Sequence, residues 1–346
     1  MLIQKIALNQ FRNFEKKEMS FDFSNIIVGD NTRGKTNILE AVFYLATGKS
    51  FRAEKENEVI KEGQEFVNIE GSVFCGDEEK KLRVFLSNHF ERPRMKRLEV
   101  NGVNRVRTNF AGHLKAVLFT PENFNILNGS PSIRRKYLNS VVMQTDRTYL
   151  KTLNQYKKIV YQRNRLLERI SERRSKRDEL EYWNNKLLEL GQFIQKRRME
   201  FFNFLSQSLE KYSFLFKSGK ILTIDYKSNL INQERLNSYV EREIGARVTL
   251  IGPHRDDFIM FLGNKKLSLF GSRGEQRLGV LILSLLSLDY IEHHVKVRPL
   301  LLLDDVFSEL DQFHKKAILN ILETQQTIMT TTDWDFDLPK IKKITL

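Results

Sequence analysis

The sequence has little of what a secreted or membrane-bound protein carries. Its single cysteine, Cys75, cannot form an internal disulfide bond, and residues 1–11 lack the basic and then apolar layout of a secretion signal. The longest apolar run, Val280 to Leu288, is interrupted by serines and is much shorter than the roughly 20 residues that a membrane span requires. We therefore expect a cytoplasmic protein with no membrane partner.

The residue patterns of two common enzyme classes are also missing. The six histidines show no spacing suited to a metal site, and no nucleophile stands with a partner base. Among these histidines only His254, within GPHRDD (252–257), is a candidate for catalysis, and a structural role is the favoured alternative for it.

What the sequence does have is positive charge and enough apolar residues for a core. Its 346 residues are 41% hydrophobic and carry a formal charge of +14, which predicts a folded protein with a polyanionic partner. From Lys151 to Lys217 lysine and arginine are twice as frequent as acidic residues, and a second excess lies between Lys80 and Arg107. A solvated helical face is the alternative explanation. Since no platform of interleaved aromatic residues for unstacked bases stands out, the pattern favours the backbone of duplex DNA over unstacked single strands.

The pattern along the chain predicts an α/β fold with a helical insertion. Apolar runs at 3–8 and 26–29 predict strands, and the alternation from Gly71 to Val106 predicts antiparallel hairpins. Residues 132–216 contain no proline, and their apolar positions recur every three or four residues, which predicts two long helices joined at SERRSKRD (171–178). The residue pattern at 221–226 again predicts a strand, and the continuous apolar run from Leu300 to Leu303 is typical of a central parallel strand.

Residues 29–36, GDNTRGKT, match a phosphate-binding loop between a buried strand and a helix. Such a loop aims several backbone N–H groups at a polyphosphate such as that of ATP. Lys35 would meet the β- and γ-phosphates and Thr36 would hold Mg²⁺, while an ordinary glycine turn before a helix is the alternative. The candidate nucleotide contacts are Gly29, Asp30, Asn31, Thr32, Arg33, Gly34, Lys35, Thr36 and Asn37.

A pair of carboxylates follows the predicted central strand. In LLLLDDVFSELD (300–311), Asp304 ends the apolar run as the candidate Mg²⁺ partner, and Asp305 is the candidate base that orients the attacking water. An acidic turn after a buried strand is the alternative. Because compact P-loop folds place these two motifs much closer together, a substantial segment must be inserted between Lys35 and Asp304.

Several motifs in the same order resemble one family. The stretches NQFRNF (9–14), KSFR (49–52), Phe119 to Asn139, YQRNRLL (161–167), GPHRDD, GSRGEQR (271–277) and LLLLDDVFSELD resemble the RecF family, which belongs with SMC and Rad50 proteins to the ABC-type ATPase heads. The resemblance implies a P-loop NTPase of ABC/Rad50-head type with an antiparallel β subdomain and an inserted helical arm. Residues 1–128 and 218–346 would form the ATPase head lobe, and 129–217 the arm.

The resemblance also implies an active site shared between two copies of the chain. Ser272, Arg273, Gly274, Glu275 and Gln276 would form a signature that reaches the γ-phosphate held by the opposite subunit, although a plain helix cap would need the same serine and glycine.

Other positions follow from the same resemblance. Ser308, Glu309, Leu310 and Asp311 match the D-loop at the dimer interface; Glu122 lies near the Q-loop position, and Thr332 and Asp333 lie at the switch position. Arg12 and Arg52 are candidate phosphate contacts, with a solvated arginine as an equal alternative. Asn139 departs from the family pattern, which has aspartate there.

The implied function is that of a recombination mediator. ATP would close a homodimer on double-stranded DNA near gaps, with RecR and RecO, to promote RecA loading, and weak DNA-stimulated hydrolysis would reopen it. The candidate DNA contacts on the arm are Arg163, Arg165, Arg169, Arg173, Arg174, Lys176 and Arg177.

Two alternatives remain open at this point. One is the ATPase head of a nuclease-type complex, Rad50-like or OLD-like, although Rad50 and SMC heads carry far longer coiled-coil segments. The other is the ATPase subunit of a transporter, for which a basic arm has no use.

Overall fold

The computed structural model describes residues 1–88, 95–216, 219–306, 315, 319, 321, 323–332 and 340–346. The strands within these residues are β1 (Leu2–Phe11), β2 (Phe14–Ser20), β3 (Ser24–Val28), β4 (Phe66–Cys75), β5 (Glu78–Ser87), β6 (Met95–Val100), β7 (Val103–Asn104), β8 (Ala116–Phe119), β9 (Leu222–Lys227), β10 (Asp257–Leu262), β11 (Lys265–Lys266), β12 (Leu300–Asp304), β13 (Thr327–Thr331) and β14 (Lys342–Thr345). The α-helices are α1 (Lys35–Thr47), α2 (Arg107–Phe110), α3 (Asn125–Asn128), α4 (Pro131–Val142), α5 (Arg147–Ser171), α6 (Leu180–Ser208), α7 (Gln233–Ala246), α8 (Leu267–Phe270) and α9 (Arg273–Val295).

The chain packs as two compact units. One comprises Met1–Phe124 with Val280–Leu346, and the other comprises Asn125–Gly279. The sequence predicts lobe boundaries at residues 128 and 217. In the structure, residues 218–279 pack with the helical segment instead of with the first unit. The reason is that β9 and β10 pack on α6: the ring of Phe202 stacks on Tyr226 at 4.6 Å and lies 5.3 Å from that of Phe258.

The first unit contains two sheets. Its parallel sheet has the order β14-β3-β13-β12-β8, and its antiparallel sheet has the order β2-β1-β4-β5-β6-β7. The hairpins predicted between Gly71 and Val106 are present in the second of these sheets, and β12 is the predicted central parallel strand. Every residue of α1 from Ile38 to Thr47 is buried, and its apolar side chains join one core with residues of both sheets. A helix enclosed in this way is apolar on nearly every side, and Glu40 is its one buried acid.

A buried amide links strands of the two sheets in this unit. Gln326, just before β13, accepts from the backbone N–H of Ile3 at 2.7 Å and donates from Nε2 to the carbonyl oxygen of Ile3 at 2.8 Å. Nε2 also donates to the carbonyl oxygen of Asp22 at 2.8 Å. One side chain thus satisfies backbone groups that a neighbouring strand would otherwise pair.

The second unit contains the predicted helical hairpin. Helices α5 and α6 have 25 and 29 residues and are joined by residues 172–179. Leu166, Leu167 and Ile170 of α5 form a small core with Leu180 of α6. The two long helices expected from the apolar periodicity are confirmed, and α4, α7 and the three-stranded sheet β11-β10-β9 extend this unit.

Helix α9 begins in the second unit and ends in the first. It is the one helix in the described part of the chain that is long and apolar enough to cross a membrane, but 78% of its most apolar 18-residue window is buried inside the protein. Such burial is typical of a core helix.

A buried aspartate organises the polar interior of the second unit. The carboxylate of Asp256 accepts from Arg198 Nη1 at 2.8 Å, Tyr226 Oη at 2.5 Å, Gln195 Nε2 at 2.9 Å and the backbone N–H of Asn229 at 2.8 Å. Both Asp256 and Arg198 are almost fully buried. A buried ion pair of this kind is tolerated because each partner has further hydrogen bonds.

Asn139 belongs to the same interior. Its Oδ1 accepts from Arg198 Nη2 at 3.0 Å and from Tyr149 Oη at 2.6 Å. An amide oxygen supplies the same acceptor that an aspartate would, and Asp256 already balances the charge of Arg198. The departure from the family pattern at Asn139 is therefore compatible with the local hydrogen bonding.

His254 is held between two neighbours in this unit. Its Nε2 lies 3.0 Å from the carbonyl oxygen of Thr249, and its Nδ1 lies 2.8 Å from Tyr156 Oη. Because a carbonyl only accepts, Nε2 carries the proton and Nδ1 accepts from the phenol. Burial lowers the pKa of His254 to about 4, so the imidazole is neutral near pH 7. This arrangement favours the structural role over catalysis.

The depressed pKa of His254 predicts a loss of stability in mild acid. The unfolded histidine takes up a proton near pH 6.5 and the folded one only near pH 4, so stability should fall as the pH drops through this window, by roughly 3 kcal/mol in full. Urea unfolding across this range should show a weaker pH dependence for His254→Gln, while His294→Gln, at an exposed histidine, should behave as the unaltered protein. Identical profiles for His254→Gln and the unaltered protein would contradict this.

Candidate nucleotide-binding site

The P-loop requires glycine at position 34 for two reasons. Gly34 caps α1 with φ of +99°, a conformation that L-residues rarely adopt. A Cβ added there would lie 2.6 Å from Asn13 Oδ1 and from Phe14 Cζ.

Thr32, in the same loop, has φ of 74°, a backbone conformation that costs a residue with a side chain about 1–2 kcal/mol. Asn31, Thr32 and Arg33 are exposed, so the loop leaves the N-terminus of α1 open to an anion.

The side chain of Lys35 contacts the backbone of the P-loop. Its Nζ donates to the carbonyl oxygens of Gly29, at 2.5 Å, and Asp30, at 3.0 Å. A lysine ammonium has three donors, so one remains for a phosphate oxygen. Lys35 is nearly buried, which means that the backbone of the loop sets the position of its charge.

The P-loop helix and the predicted metal carboxylate meet at one edge of the parallel sheet. Strands β3 and β12 both pair in parallel with β13, so their carboxyl ends lie at the same edge. Thr36 Oγ1 lies 3.0 Å from Asp304 Oδ1 and 2.8 Å from Oδ2. These residues are 268 positions apart in sequence.

The oxygen donors of Thr36 and Asp304 fit Mg²⁺, which prefers a few protein oxygens supplemented by phosphate and water. Among the residues that the structure describes, no group of three His, Cys, Asp or Glu side chains could hold a metal. Thr36 and Asp304 are the residues that would hold Mg²⁺, and the bound cation would neutralise phosphate charge.

Asp305 adopts a left-handed backbone conformation at the end of β12. Its φ is 48°, and its N–H donates to both the carbonyl oxygen and the Oγ1 of Thr330, each at 3.1 Å.

The other positions implied by the resemblance are only partly described. Thr332, at the predicted switch position, directly follows β13. Asp333 and the predicted D-loop residues Ser308, Glu309, Leu310 and Asp311 lie outside the described residues. Glu122, the Q-loop candidate, is exposed in a 3₁₀ turn after β8.

Arg12 is paired with groups of the protein itself in this structure, so its contact with phosphate stays a prediction. Its Nε and Nη2 donate to the two carboxylate oxygens of Glu40, at 2.9 and 2.6 Å, and its Nη1 donates to the carbonyl oxygen of Glu58 at 2.7 Å. Glu40 is fully buried and also accepts from Ser50 Oγ at 2.5 Å. A buried carboxylate needs a paired cation, and Arg12 fills this role while fixing the turn between β1 and β2.

Three polar side chains tie that turn to the P-loop. Asn13 Nδ2 donates to the carbonyl oxygen of Arg33 at 3.1 Å, and Asn37 Nδ2 donates to Asn13 Oδ1 at 2.8 Å. Arg52 Nη1 donates to Asn37 Oδ1 at 3.2 Å. The motif in the sequence included Asn13, but nothing in it distinguished this residue from its neighbours as the one that contacts the loop.

The signature residues form the N-terminus of α9. Ser272 N–H donates to Glu275 Oε2 at 2.8 Å, and Glu275 N–H donates to Ser272 Oγ at 3.2 Å, which is a capping box. The Ser272 N–H holds the pKa of Glu275 below its usual value. Gln276 is buried and donates to the carbonyl oxygen of Gly271 at 2.9 Å, whereas Ser272, Arg273 and Gly274 are exposed. The structural cap is therefore present, and it leaves the helix end accessible.

Arg163 is buried, which conflicts with its expected role as a DNA contact. Its guanidinium is fully buried and donates to Glu243 Oε2 at 2.5 Å, Thr249 Oγ1 at 3.0 Å and Asn184 Oδ1 at 2.8 Å. A buried arginine with three such partners holds α5, α6 and α7 together. The other candidates are exposed: Arg165, Arg169, Arg173, Arg174, Lys176 and Arg177.

Removing the buried arginine should destabilise the second unit. We expect Arg163→Ala to lower the free energy of unfolding by about 3–5 kcal/mol, because the Glu243 carboxylate would be left buried without its cation. Arg165→Ala, two residues away and exposed, is the matched control and should change stability little. Urea unfolding measures both variants. Equal stability of the two would show that the Glu243 charge is compensated elsewhere.

The sequence is similar from residue 2 to residue 335 to the family described as the RecF/RecN/SMC N terminal domain. The DNA replication and repair protein RecF of Bacillus cereus (strain G9842) is 35% identical to it over 97% of this chain and 93% of its own. The RecF of Bacillus anthracis (strain CDC 684 / NRRL 3495) gives the same identity and coverage.

Solved structures also show similarity to RecF. A structure of the recombination mediator protein RecF-ATPrS in the RecFOR pathway matches with a TM-score of 0.89 at 32% identity, over 100% of this chain and 96% of that one. An Smc head domain derived from Pyrococcus furiosus matches with a TM-score of 0.54 at 19% identity, over 96% of this chain and 89% of that one, and so shares the fold alone. The resemblance and the fold class predicted from the sequence are confirmed, and the chain belongs to the RecF family, within the wider RecF/RecN/SMC group.

Proposed function

We propose that this protein is an ATP-dependent recombination mediator that closes as a homodimer on duplex DNA near single-strand gaps. The observation that carries the proposal is the meeting of Thr36 with Asp304 beside Lys35, because these three side chains are what a Mg²⁺-nucleotide requires of a P-loop protein. The relatives named as DNA replication and repair proteins, and a RecF structure described with ATP, support the same function.

The nucleotide is held by the backbone of the P-loop and by Lys35. N–H groups at the N-terminus of α1 donate to phosphate oxygens, and the third proton of the Lys35 ammonium adds a charge-assisted bond. Asp305 orients the attacking water as a weak base. The ATPase is a slow, DNA-stimulated switch whose turnover reopens the dimer.

The signature at the start of α9 serves the opposite copy. Ser272 to Gly274 are exposed at a helix N-terminus, where N–H groups and the helix dipole favour an anion. The γ-phosphate bound by one copy meets this helix end of the other, so each pocket is complete only in the dimer. RecR and RecO are the expected protein partners, with RecA loading downstream, in keeping with the RecFOR pathway named for the solved relatives.

The first test separates nucleotide binding from dimer formation. Lys35→Ala should lose ATP binding, because the ammonium that neutralises the phosphates is gone. Ser272→Arg should bind ATP as the unaltered protein does but stay monomeric with ATP in light scattering, because the arginine blocks the opposite phosphate. Ser238→Arg, at an exposed position on α7, is the matched control. ATP-dependent dimerisation of Ser272→Arg would contradict the shared pocket.

The DNA surface is a row of cations along one side of α5. Lys151, Lys158 and Arg165 are seven residues apart, or about 10.5 Å, and Arg169 follows one turn later, so that all four share one face of the helix. All four are exposed, and the residues between them on that face, Gln155 and Gln162, are uncharged. Among the described residues no ion pair joins any of these four cations to an acid, so their charge is available to phosphates.

The cations at the tip of the arm are partly compensated. Arg174 pairs with Glu172, and Arg177 pairs with Glu241. Because such pairs already neutralise the cations, these two are weaker DNA contacts than the row on α5. Arg173 and Lys176 remain exposed candidates.

Two triple variants with the same change in net charge test this surface. Lys158→Gln/Arg165→Gln/Arg169→Gln should weaken duplex binding and reduce the slope of log affinity against log salt by roughly three, since about one counterion is released for each phosphate contact. Arg174→Gln/Arg177→Gln/Lys186→Gln removes three cations that are paired with acids and should change both quantities less. Fluorescence anisotropy with gapped duplex, with and without ATP, measures them. Equal losses would mean that binding follows net charge and not this row.

A further inference from the structure

Thr330 lies in the middle of the parallel sheet, between the two strands that carry the nucleotide motifs. It belongs to β13, which is flanked by β3 on one side and β12 on the other, and it pairs in register with Asp304. Its side chain is fully buried. The sequence singled out Thr332 and Asp333 at the end of this strand but assigned nothing to Thr330.

The hydroxyl of Thr330 is engaged on both sides. It donates to Asp304 Oδ1 at 2.6 Å and accepts from the N–H of Asp305 at 3.1 Å. The bond to Asp304 is short and charge-assisted, which makes it the stronger of the two. One hydroxyl therefore contacts both members of the carboxylate pair.

We propose that Thr330 is the positioning residue for the cation-binding carboxylate of Asp304 and for the backbone of Asp305. This inference rests on the proposed function, since it requires a Mg²⁺-nucleotide at the P-loop. Thr330 touches neither nucleotide nor cation in this role and acts through the two aspartates.

The geometry around Asp304 explains why one hydroxyl matters. Thr36 Oγ1 approaches both carboxylate oxygens from the P-loop helix, and Thr330 approaches Oδ1 from the neighbouring strand. Two hydroxyls on different elements fix the plane of the carboxylate more tightly than either does alone. Thr36 is also the predicted cation contact, so the hydroxyl of Thr330 is the one that holds Asp304 whether or not a cation is present. Partners of this kind orient metal ligands and commonly change metal affinity when removed.

Asp305 depends on the same residue through its main chain. With φ of 48°, its backbone takes a turn that few residues with side chains adopt, and its N–H is held by the carbonyl oxygen as well as the hydroxyl of Thr330. The branched side chain of threonine has few rotamers in a strand, which keeps its hydroxyl aimed at this corner. Valine has the same shape without the hydroxyl, and serine has the hydroxyl without the branch.

The experiment measures how nucleotide binding depends on Mg²⁺. Fluorescent ATP is titrated into the full chain in the presence of a chelator and then at rising Mg²⁺, for Thr330→Val and Thr330→Ser. Thr327→Val, three residues earlier on the same buried strand, is the packing control, because the Thr327 hydroxyl bonds only weakly, to the carbonyl oxygen of Gln325 at 3.3 Å. Asp304→Asn is the reference for loss of the carboxylate, and thermal unfolding reports folding of each variant.

We expect Thr330→Val to need roughly 10- to 100-fold more Mg²⁺ for the same binding, with affinity in chelator unchanged. Thr330→Ser should restore most of the loss, and Thr327→Val should need no more Mg²⁺ than the unaltered protein. Should Thr330→Val fold poorly, Thr330→Ala removes the same hydroxyl with a smaller side chain.

Two results would overturn the inference while leaving the proposed function intact. In one, Thr330→Val matches Thr327→Val in its Mg²⁺ requirement, while Asp304→Asn shows the defect. In the other, Thr330→Val loses affinity in chelator as well, which assigns Thr330 to packing. If Asp304→Asn itself leaves the Mg²⁺ requirement unchanged, the cation site of the proposed function fails, and the positioning role of Thr330 fails with it.

Discussion

The nucleotide site of this protein depends on the parallel pairing of β13 with both β3 and β12. Parallel neighbours end at the same edge of a sheet, so the loop after β3 and the carboxylates after β12 must face each other there. More than half of the long segment between the two motifs, residues 125–279, packs as its own unit. The strand between the two motifs, β13, also supplies the Thr330 hydroxyl that contacts the Asp304 carboxylate. The backbone pairing of β13 with β12 therefore positions this hydroxyl as well as the strands.

Positive charge has two distinct uses in this chain. Arg12, Arg163 and Arg198 are largely withdrawn from solvent and balance the buried acids Glu40, Glu243 and Asp256. These pairs organise interiors, since a buried carboxylate without a cation is strongly disfavoured. The row on α5 remains in solvent, and within the described residues none of its cations forms an ion pair with an acid. The net charge of +14 is therefore a poor guide to any single arginine, although it correctly indicates an excess at the surface.

At the start of α9, a structural cap and the proposed anion-binding surface involve the same residues. Ser272 and Glu275 cap the helix reciprocally, as helix stability alone would favour. The same cap keeps the helix end ordered and exposed, which an anion-binding surface also requires. Choosing between the two interpretations from the sequence was impossible in principle, because both need serine and glycine at the same positions.

The sequence by itself determined the P-loop, the carboxylate pair, the helical hairpin and the family, because each depends on residues close together along the chain and on their periodicity. Only the tertiary structure decided which arginines are buried, that residues 218–279 fold with the helical segment, and that Asn13, Glu40 and Thr330 surround the site. Those contacts join residues from different strands and helices. Their partners are chosen by sheet order and packing, which leave no local pattern in the sequence.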